Sequence, residues 1–67
     1  MTNLKRRREA KGLTQRQLAE AAGINLRMVQ HYEQGRKQLI KANVLTVFKL
    51  AAALDCEMGD IVEEVIR

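Results

Sequence analysis

A run of polar side chains repeats at helical spacing in one short segment: Arg27, Gln30, His31 and Gln34. On an α-helix these positions share one face, whereas Val29 and Tyr32 fall on the other. An arginine can donate two hydrogen bonds to guanine O6 and N7, and a glutamine can pair with adenine N6 and N7. The face is therefore suited to reading base edges. A solvated helix face is the plainer interpretation of the same stripe.

The residues before this segment predict a second, tightly connected helix. Thr14 is placed as an N-cap, and Gln17 three positions later completes a capping box. Gly23 is expected to take a positive φ and to end that helix, because glycine does so without steric cost. Asn25 then caps the next helix. Two helices joined by so short a glycine turn predict a helix-turn-helix, whose second helix fits the major groove of DNA.

This arrangement assigns contacts to particular side chains. Leu26 offers an apolar surface to a thymine methyl, and the predicted base contacts are Leu26, Arg27, Gln30 and His31. Gln15 starts its helix, so its backbone N–H and its side chain are expected near a phosphate. The predicted contacts to the DNA backbone are Gln15, Arg16, Asn25, Gln34, Arg36, Lys37 and Lys41.

The distribution of charge favours a polyanionic partner. The 67 residues carry a net charge of +4, but residues 1–41 hold ten Lys and Arg against three Glu, whereas residues 42–67 hold two against five acids. An uneven basic surface is typical of nucleic-acid binding. The basic run at residues 5–8 fits a phosphate-binding strip and a solvated face equally well.

The composition also limits the fold class and the cellular compartment that can be expected. With no proline, four glycines and 46% hydrophobic residues, the chain is expected to be all-α. The single Cys56 cannot form an internal disulfide, which suits the cytoplasm. No apolar run approaches the roughly 20 residues that span a bilayer, and no signal-peptide core is evident. We therefore expect a cytoplasmic protein that does not enter membranes.

Periodicity predicts five helices in one domain spanning residues 1–67, with the helix-turn-helix at 15–34. The predicted helices cover residues 3–11, 15–22, 26–34, 44–54 and 57–66, and a connection of uncertain edges covers 36–42.

Catalysis is not expected. No phosphate loop or nucleophile–base pair occurs, and the only histidine, His31, is distant in sequence from Cys56. Hence neither a metal nor a cofactor is predicted, and no small-molecule effector is evident.

The stretch "LKRRREAKGLTQRQLAEAAGINLRMVQHYEQG" resembles the lambda-repressor-like (Cro/CI-type) helix-turn-helix domain of bacterial and phage regulators, and the later "LAAALDCEMGDIV" is similar to the last two helices of that family. The resemblance covers roughly residues 4–62. It implies a five-helix fold, a recognition helix at residues 26–34 and an ion pair between Arg8 and Glu33. The chain departs from the common pattern in a longer connection after Gly35, and in Glu57 where relatives carry a Ser or Thr cap.

Together these features predict a sequence-specific regulator, most simply a repressor, that binds a near-palindromic site as a homodimer. The apolar residues expected in a dimer interface are Leu39, Ile40, Val62, Val65 and Ile66. Two alternatives stay open: an antitoxin or phage or mobile-element control protein with the same domain, and a helical protein-interaction module.

Overall fold

Four α-helices form the body of the protein in a computed structural model that describes residues 2–63. They are α1 (Asn3–Ala10), α2 (Gln15–Ala22), α3 (Leu26–Gln34) and α4 (Val44–Ala53). Two single 3₁₀ turns, Leu39–Lys41 and Met58–Asp60, lie before and after α4. The described residues contain no strand, so this part of the chain is all-helical. Within the same residues, no helix is long and apolar enough to cross a membrane.

Local sequence sets the ends of α2 and α3. Thr14 and Gln17 form the predicted capping box, with the Gln17 N–H donating to Thr14 Oγ1 at 3.0 Å and the Thr14 N–H donating to Gln17 Oε1 at 2.9 Å. Gly23 ends α2 with φ 70° and ψ 34°, in the left-handed region where glycine avoids a Cβ penalty. Asn25 then caps α3 by accepting the Arg27 N–H at 2.7 Å. The predicted helix-turn-helix is therefore present.

The core joins all four helices. Leu18 and Val29 are fully buried where α2 meets α3, and Leu50 is fully buried on α4, which packs against α2. Removing such surface from water drives folding at about 25 cal/mol per Å². The buried apolar residues are Leu4, Leu18, Ala19, Ala22, Val29, Tyr32, Leu39, Val47, Leu50, Ala51, Leu54 and Ile61.

The predicted fifth helix requires correction. From Glu57 onward the described chain forms one 3₁₀ turn at Met58–Asp60 rather than an α-helix, so the structure shows four helices up to residue 63. Ile61 then enters the core with 1% exposure. The two residues after Ile61 are bound to the start of α1. Asn3 Nδ2 donates to the Val62 carbonyl at 3.2 Å, and the Asn3 backbone N–H donates to the Glu63 carboxylate at 2.6 Å.

Two apolar residues take places that periodicity did not indicate. Leu39, predicted in a dimer interface, is 6% exposed and belongs to the core, so that prediction is wrong. The 3₁₀ turn Leu39–Lys41 directs the Leu39 side chain into the core. Conversely, Phe48 of the strongly apolar α4 is 56% exposed. Of the other predicted interface residues, Ile40 is exposed and Val62 is half-buried against the core. Val65 and Ile66 lie outside the described residues.

Candidate nucleic-acid interface

The outer face of α3 presents the predicted base-reading side chains to differing degrees. Arg27 and Gln34 are exposed, whereas Gln30 and His31 are half-buried. Leu26 is also half-buried and packs against the core, which reduces the apolar surface that it offers outward. Because Asn25 already accepts the Arg27 N–H as a cap, its side-chain oxygen has a structural role at the start of α3. Arg27 is thus the most accessible donor of the predicted base-reading group.

A basic groove begins where α3 ends. Gly35 takes φ 80° and turns the chain so that three predicted backbone contacts, Arg36, Lys37 and Lys41, line one open groove of about 510 Å³. Tyr32, Gly35, Gln38 and Ala42 complete its lining. Three cations around one concave surface can concentrate phosphate oxygens. Gln38 was not predicted as a contact, because the sequence gives no sign that the connection folds back on itself.

Behind α3 lies a buried polar network that links three helices. Arg8 Nε donates to Glu33 Oε2 at 2.6 Å, and Arg8 Nη2 donates to Glu33 Oε1 at 3.1 Å. Arg8 Nη1 also donates to the Leu13 carbonyl at 2.8 Å. The hydrogen bond and the charge of Glu33 raise the pKa of Arg8 against the opposing effect of burial. The ion pair that the family resemblance implied is therefore present in the structure, and it ties α1 to the end of α3.

Gln15 belongs to this network as well as to the surface. Its Nε2 donates to Glu33 Oε1 at 3.0 Å, so one amide N–H is engaged inside the protein. A glutamine amide carries two N–H donors, which leaves the second for an external acceptor. Glu33 therefore holds Gln15 in place at the first residue of α2. Arg16, the next residue, is exposed.

The structure divides the basic residues into two groups. Three cations of α1 and its end are paired with acids within the chain: Arg7 lies 3.5 Å from Asp60, Arg8 contacts Glu33, and Lys11 contacts Asp55. The run at residues 5–8 is therefore largely committed to internal contacts, with Arg6 bonded to the Asn3 side chain at 2.8 Å.

The second group is exposed. Within residues 2–63 no carboxylate forms an ion pair with Arg16, Arg27, Arg36, Lys37 or Lys41. Lys5 of α1 and the exposed Lys49 of α4 have no such ion pair either. The cations available to an external anion therefore lie mainly on α2, on α3 and in the groove, whereas the ion pairs of the described residues neutralise Arg7, Arg8 and Lys11.

The described residues give little support for a metal site or for a reactive thiol. Among residues 2–63 no group of three or more His, Cys, Asp and Glu side chains is arranged to hold a metal ion. Burial raises the pKa of the half-buried Cys56 thiol, so its reactive thiolate is disfavoured.

The comparison with known families agrees with this geometry. Residues 4–61 match the family model described as helix-turn-helix, a span that includes the Arg8–Glu33 pair, the Gly23 turn, α3 and the basic groove. No curated protein matches the chain.

Proposed function

Because the chain belongs to the Cro/CI-type helix-turn-helix family of DNA-binding transcriptional regulators, we propose that it is a sequence-specific repressor that binds a near-palindromic operator as a homodimer. The family is typically non-enzymatic, and we propose no catalytic activity. Double-stranded DNA is the proposed partner.

One observation carries the proposal. Arg16, Arg27, Arg36, Lys37 and Lys41, which are exposed and have no ion pair in the described chain, lie on α2, on α3 and in the groove that follows α3, beside the helix that a major groove would admit. Lys49 of α4 is exposed without an ion pair as well. A solvated helix face does not require this separation, since its cations would gain equally from neighbouring acids. An interaction module would be favoured by an acidic or apolar face on α3, and α3 instead exposes Arg27 and Gln34.

Affinity and specificity would come from different parts of this surface. Arg36, Lys37 and Lys41 would contact phosphates, which supplies affinity that depends on salt but not on base sequence. Arg27, supported by Gln30 and His31, would contact base edges and supply discrimination. Gln15, held by Glu33, would donate its second amide N–H to a phosphate and fix the register of α3 in the groove.

Repression would follow because the bound dimer occupies the promoter. Two copies related by a two-fold axis would place their recognition helices about 34 Å apart, one turn of DNA, and would therefore read two inverted half-sites. A dimer that covers a promoter in this way would exclude the polymerase without any further domain.

The first test is selection of bound sites from random double-stranded DNA, followed by affinity measurements on the selected site and its single-base variants. Arg27→Ala is expected to lose about 1–3 kcal/mol of discrimination at one base position while other positions keep theirs. A wild-type protein that selects no sequence would contradict the proposal.

The second test separates phosphate contacts from overall charge. Lys37→Ala should weaken binding to selected and random DNA alike, and should reduce the slope of log K against log salt by about one. Lys11→Ala is the matched control, because it removes the same charge from a lysine that already contacts Asp55. If Lys11→Ala and Lys37→Ala change the slope equally, net charge rather than the groove governs binding.

A further inference from the structure

The basic groove after α3 contains one buried polar side chain that the proposed DNA contacts do not use. Tyr32 lines this groove and is only 8% exposed. Its hydroxyl forms no hydrogen bond with any residue between 2 and 63. In the same residues no side-chain oxygen is both fully buried and unpaired, so the Tyr32 hydroxyl keeps some accessible surface. A largely buried tyrosine normally finds a partner for its hydroxyl, and here that donor is left open to the outside.

A small apolar recess adjoins the groove at Tyr32. The recess has a volume of about 60 Å³ and shares four lining residues with the groove, namely Tyr32, Gly35, Lys37 and Gln38. Its other walls are mainly core side chains: Leu4, Leu39 and Ile61. Glu63 is the only acid that lines either space, and its carboxylate already accepts the Asn3 backbone N–H at 2.6 Å. The open space beside Tyr32 therefore lacks a free carboxylate of the described chain that could accept a hydrogen bond from the hydroxyl.

Positive charge surrounds the same space. Arg36, Lys37 and Lys41 line the groove, are exposed and form no ion pair with a carboxylate of the described residues. Three cations around one concave surface raise the local concentration of anions. A hydroxyl beside them adds a directed hydrogen bond, which is stronger when the acceptor is charged. The combination is suited to an anion that carries several charges and has an oxygen free to reach Tyr32.

The burial of Tyr32 favours a terminal phosphate over a phosphate of duplex DNA. A DNA phosphate carries one charge and is linked to sugars on both sides, so it stays on the surface of the duplex. A terminal phosphate carries a charge of about −1.5 to −2 at pH 7 and offers three acceptor oxygens. One of these oxygens can reach a recessed hydroxyl while the others contact the lysines. The exposed cations can serve either anion, whereas the hydroxyl is matched to the terminal group.

We propose that the groove is a binding site for a small molecule that carries a chain of two or more linked phosphates. The Tyr32 hydroxyl donates to the terminal phosphate, and the three groove cations neutralise the chain. The groove volume of about 510 Å³ lies within the range of small-molecule sites, about 300–1,000 Å³. Since the same cations are proposed to contact the DNA backbone, the ligand and DNA compete for the groove. The competition rests on the proposed function, whereas the binding of the ligand does not.

Inorganic triphosphate is the probe for this site. Tyr32 is the only tyrosine and the chain has no tryptophan, so intrinsic fluorescence reports on Tyr32 alone. Adding triphosphate to the full chain at constant ionic strength should change this emission along a saturating curve, and calorimetric titration should give the same Kd. Inorganic phosphate should bind more weakly, because a single phosphate reaches fewer of the cations. An equal Kd for the two would contradict the inference, as would emission and heats that triphosphate leaves unchanged up to millimolar concentration.

Adenosine triphosphate distinguishes the two sources of such a chain. A lower Kd than that of inorganic triphosphate would assign the site to a nucleotide, whose nucleoside then contacts the groove as well. A Kd that is equal or higher would assign it to polyphosphate itself.

Tyr32→Phe removes only the hydroxyl. Because this hydroxyl bonds to no described residue, the urea midpoint should stay near that of the wild type. The Kd for triphosphate, measured by calorimetry, should rise about tenfold or more, as expected when a hydrogen bond to a charged acceptor is lost. A variant that binds triphosphate as the wild type does would overturn the proposal.

Lys41→Ala should weaken triphosphate binding through the loss of a groove cation. Lys49→Ala is its matched control, since Lys49 is also an exposed lysine without an ion pair in the described chain but does not line the groove. Equal effects of the two variants would mean that net charge alone attracts the ligand, and the proposal would fail.

Competition is measured on the selected DNA site. Saturating triphosphate should raise the apparent Kd for the duplex, and sulfate at equal ionic strength should raise it much less. Tyr32→Phe should keep the wild-type affinity for DNA and require more triphosphate for displacement. If it weakens duplex and triphosphate binding by the same factor, the hydroxyl belongs to the DNA contact, and the inference fails while the proposed function survives. If triphosphate binds as described but the protein selects no DNA sequence, the proposed function fails and the ligand site stands.

Discussion

Arg8→Met tests whether the buried ion pair stabilises the helix-turn-helix. Methionine keeps much of the apolar stem and its contacts but removes the guanidinium. The Glu33 side chain is 1% exposed, and Arg8 supplies two of the three side-chain hydrogen bonds that its carboxylate accepts. After the substitution only Gln15 would contact this carboxylate, at 3.0 Å.

The size of the effect follows from this geometry. Removing one partner of a buried pair costs about 3–5 kcal/mol, because the remaining charge is left without compensation. A 67-residue domain has a total stability of about 3–10 kcal/mol at ordinary values per residue. Arg8→Met should therefore remove between about a third and all of the free energy of unfolding at 25 °C. Replacing both residues with methionine removes the isolated charge, so the double variant should recover most of the lost stability.

The assay is urea unfolding followed by circular dichroism for the wild type, Arg8→Met, Glu33→Met and the double variant, read as a double-mutant cycle. Glu33→Met should be the milder single change, since Arg8 keeps the Leu13 carbonyl at 2.8 Å and lies 3.9 Å from Glu9. An Arg8→Met cost below about 1 kcal/mol, or a double variant no more stable than Arg8→Met, would refute the account of a buried and mutually dependent pair.

Two further predictions concern the turns. Gly23→Ala should cost about 1–2 kcal/mol in urea unfolding, because φ is +70° and no atom within 4 Å would contact the added Cβ, so backbone strain is the whole penalty. Gly59→Ala, with equal space and no positive φ, is the control, and an equal loss at both sites would contradict this reasoning. Asp55→Asn tests the contact with Lys11, whose hydrogen bond and charge lower the pKa of Asp55. Because the folded-state pKa lies below the unfolded value, the carboxylate stabilises the fold above about pH 4 and loses that effect as the pH falls through the folded pKa. Asparagine tolerates the φ of 56° at this position, so wild type and variant should converge in strong acid and separate towards neutral pH; parallel stability curves would exclude the contact.

Phe48 and Leu39 show where periodicity stops being informative. The polar face of an amphipathic helix indicates which side is left to solvent, but α4 has only Thr46 and Lys49 as polar residues and offers little such contrast. The packing of α4 against α2 chooses Val47, Leu50 and Ala51 for the core and leaves Phe48 outside. Leu39 lies in a connection, where no repeat indicates direction, and only the 3₁₀ turn brings it inward.

The sequence alone determined the features that depend on residues within about one helical turn of each other. The capping box at Thr14, the left-handed Gly23 and the polar outer face of α3 follow from side-chain chemistry, backbone sterics and a period of 3.6 residues. Only the tertiary structure decided which charges are paired, since Lys11 and Asp55 are 44 residues apart and no local rule connects them. It likewise gathered Arg36, Lys37 and Lys41 around one groove and left Phe48 exposed on α4. Those outcomes depend on how whole helices pack, and that is settled by the shared core rather than by any single segment.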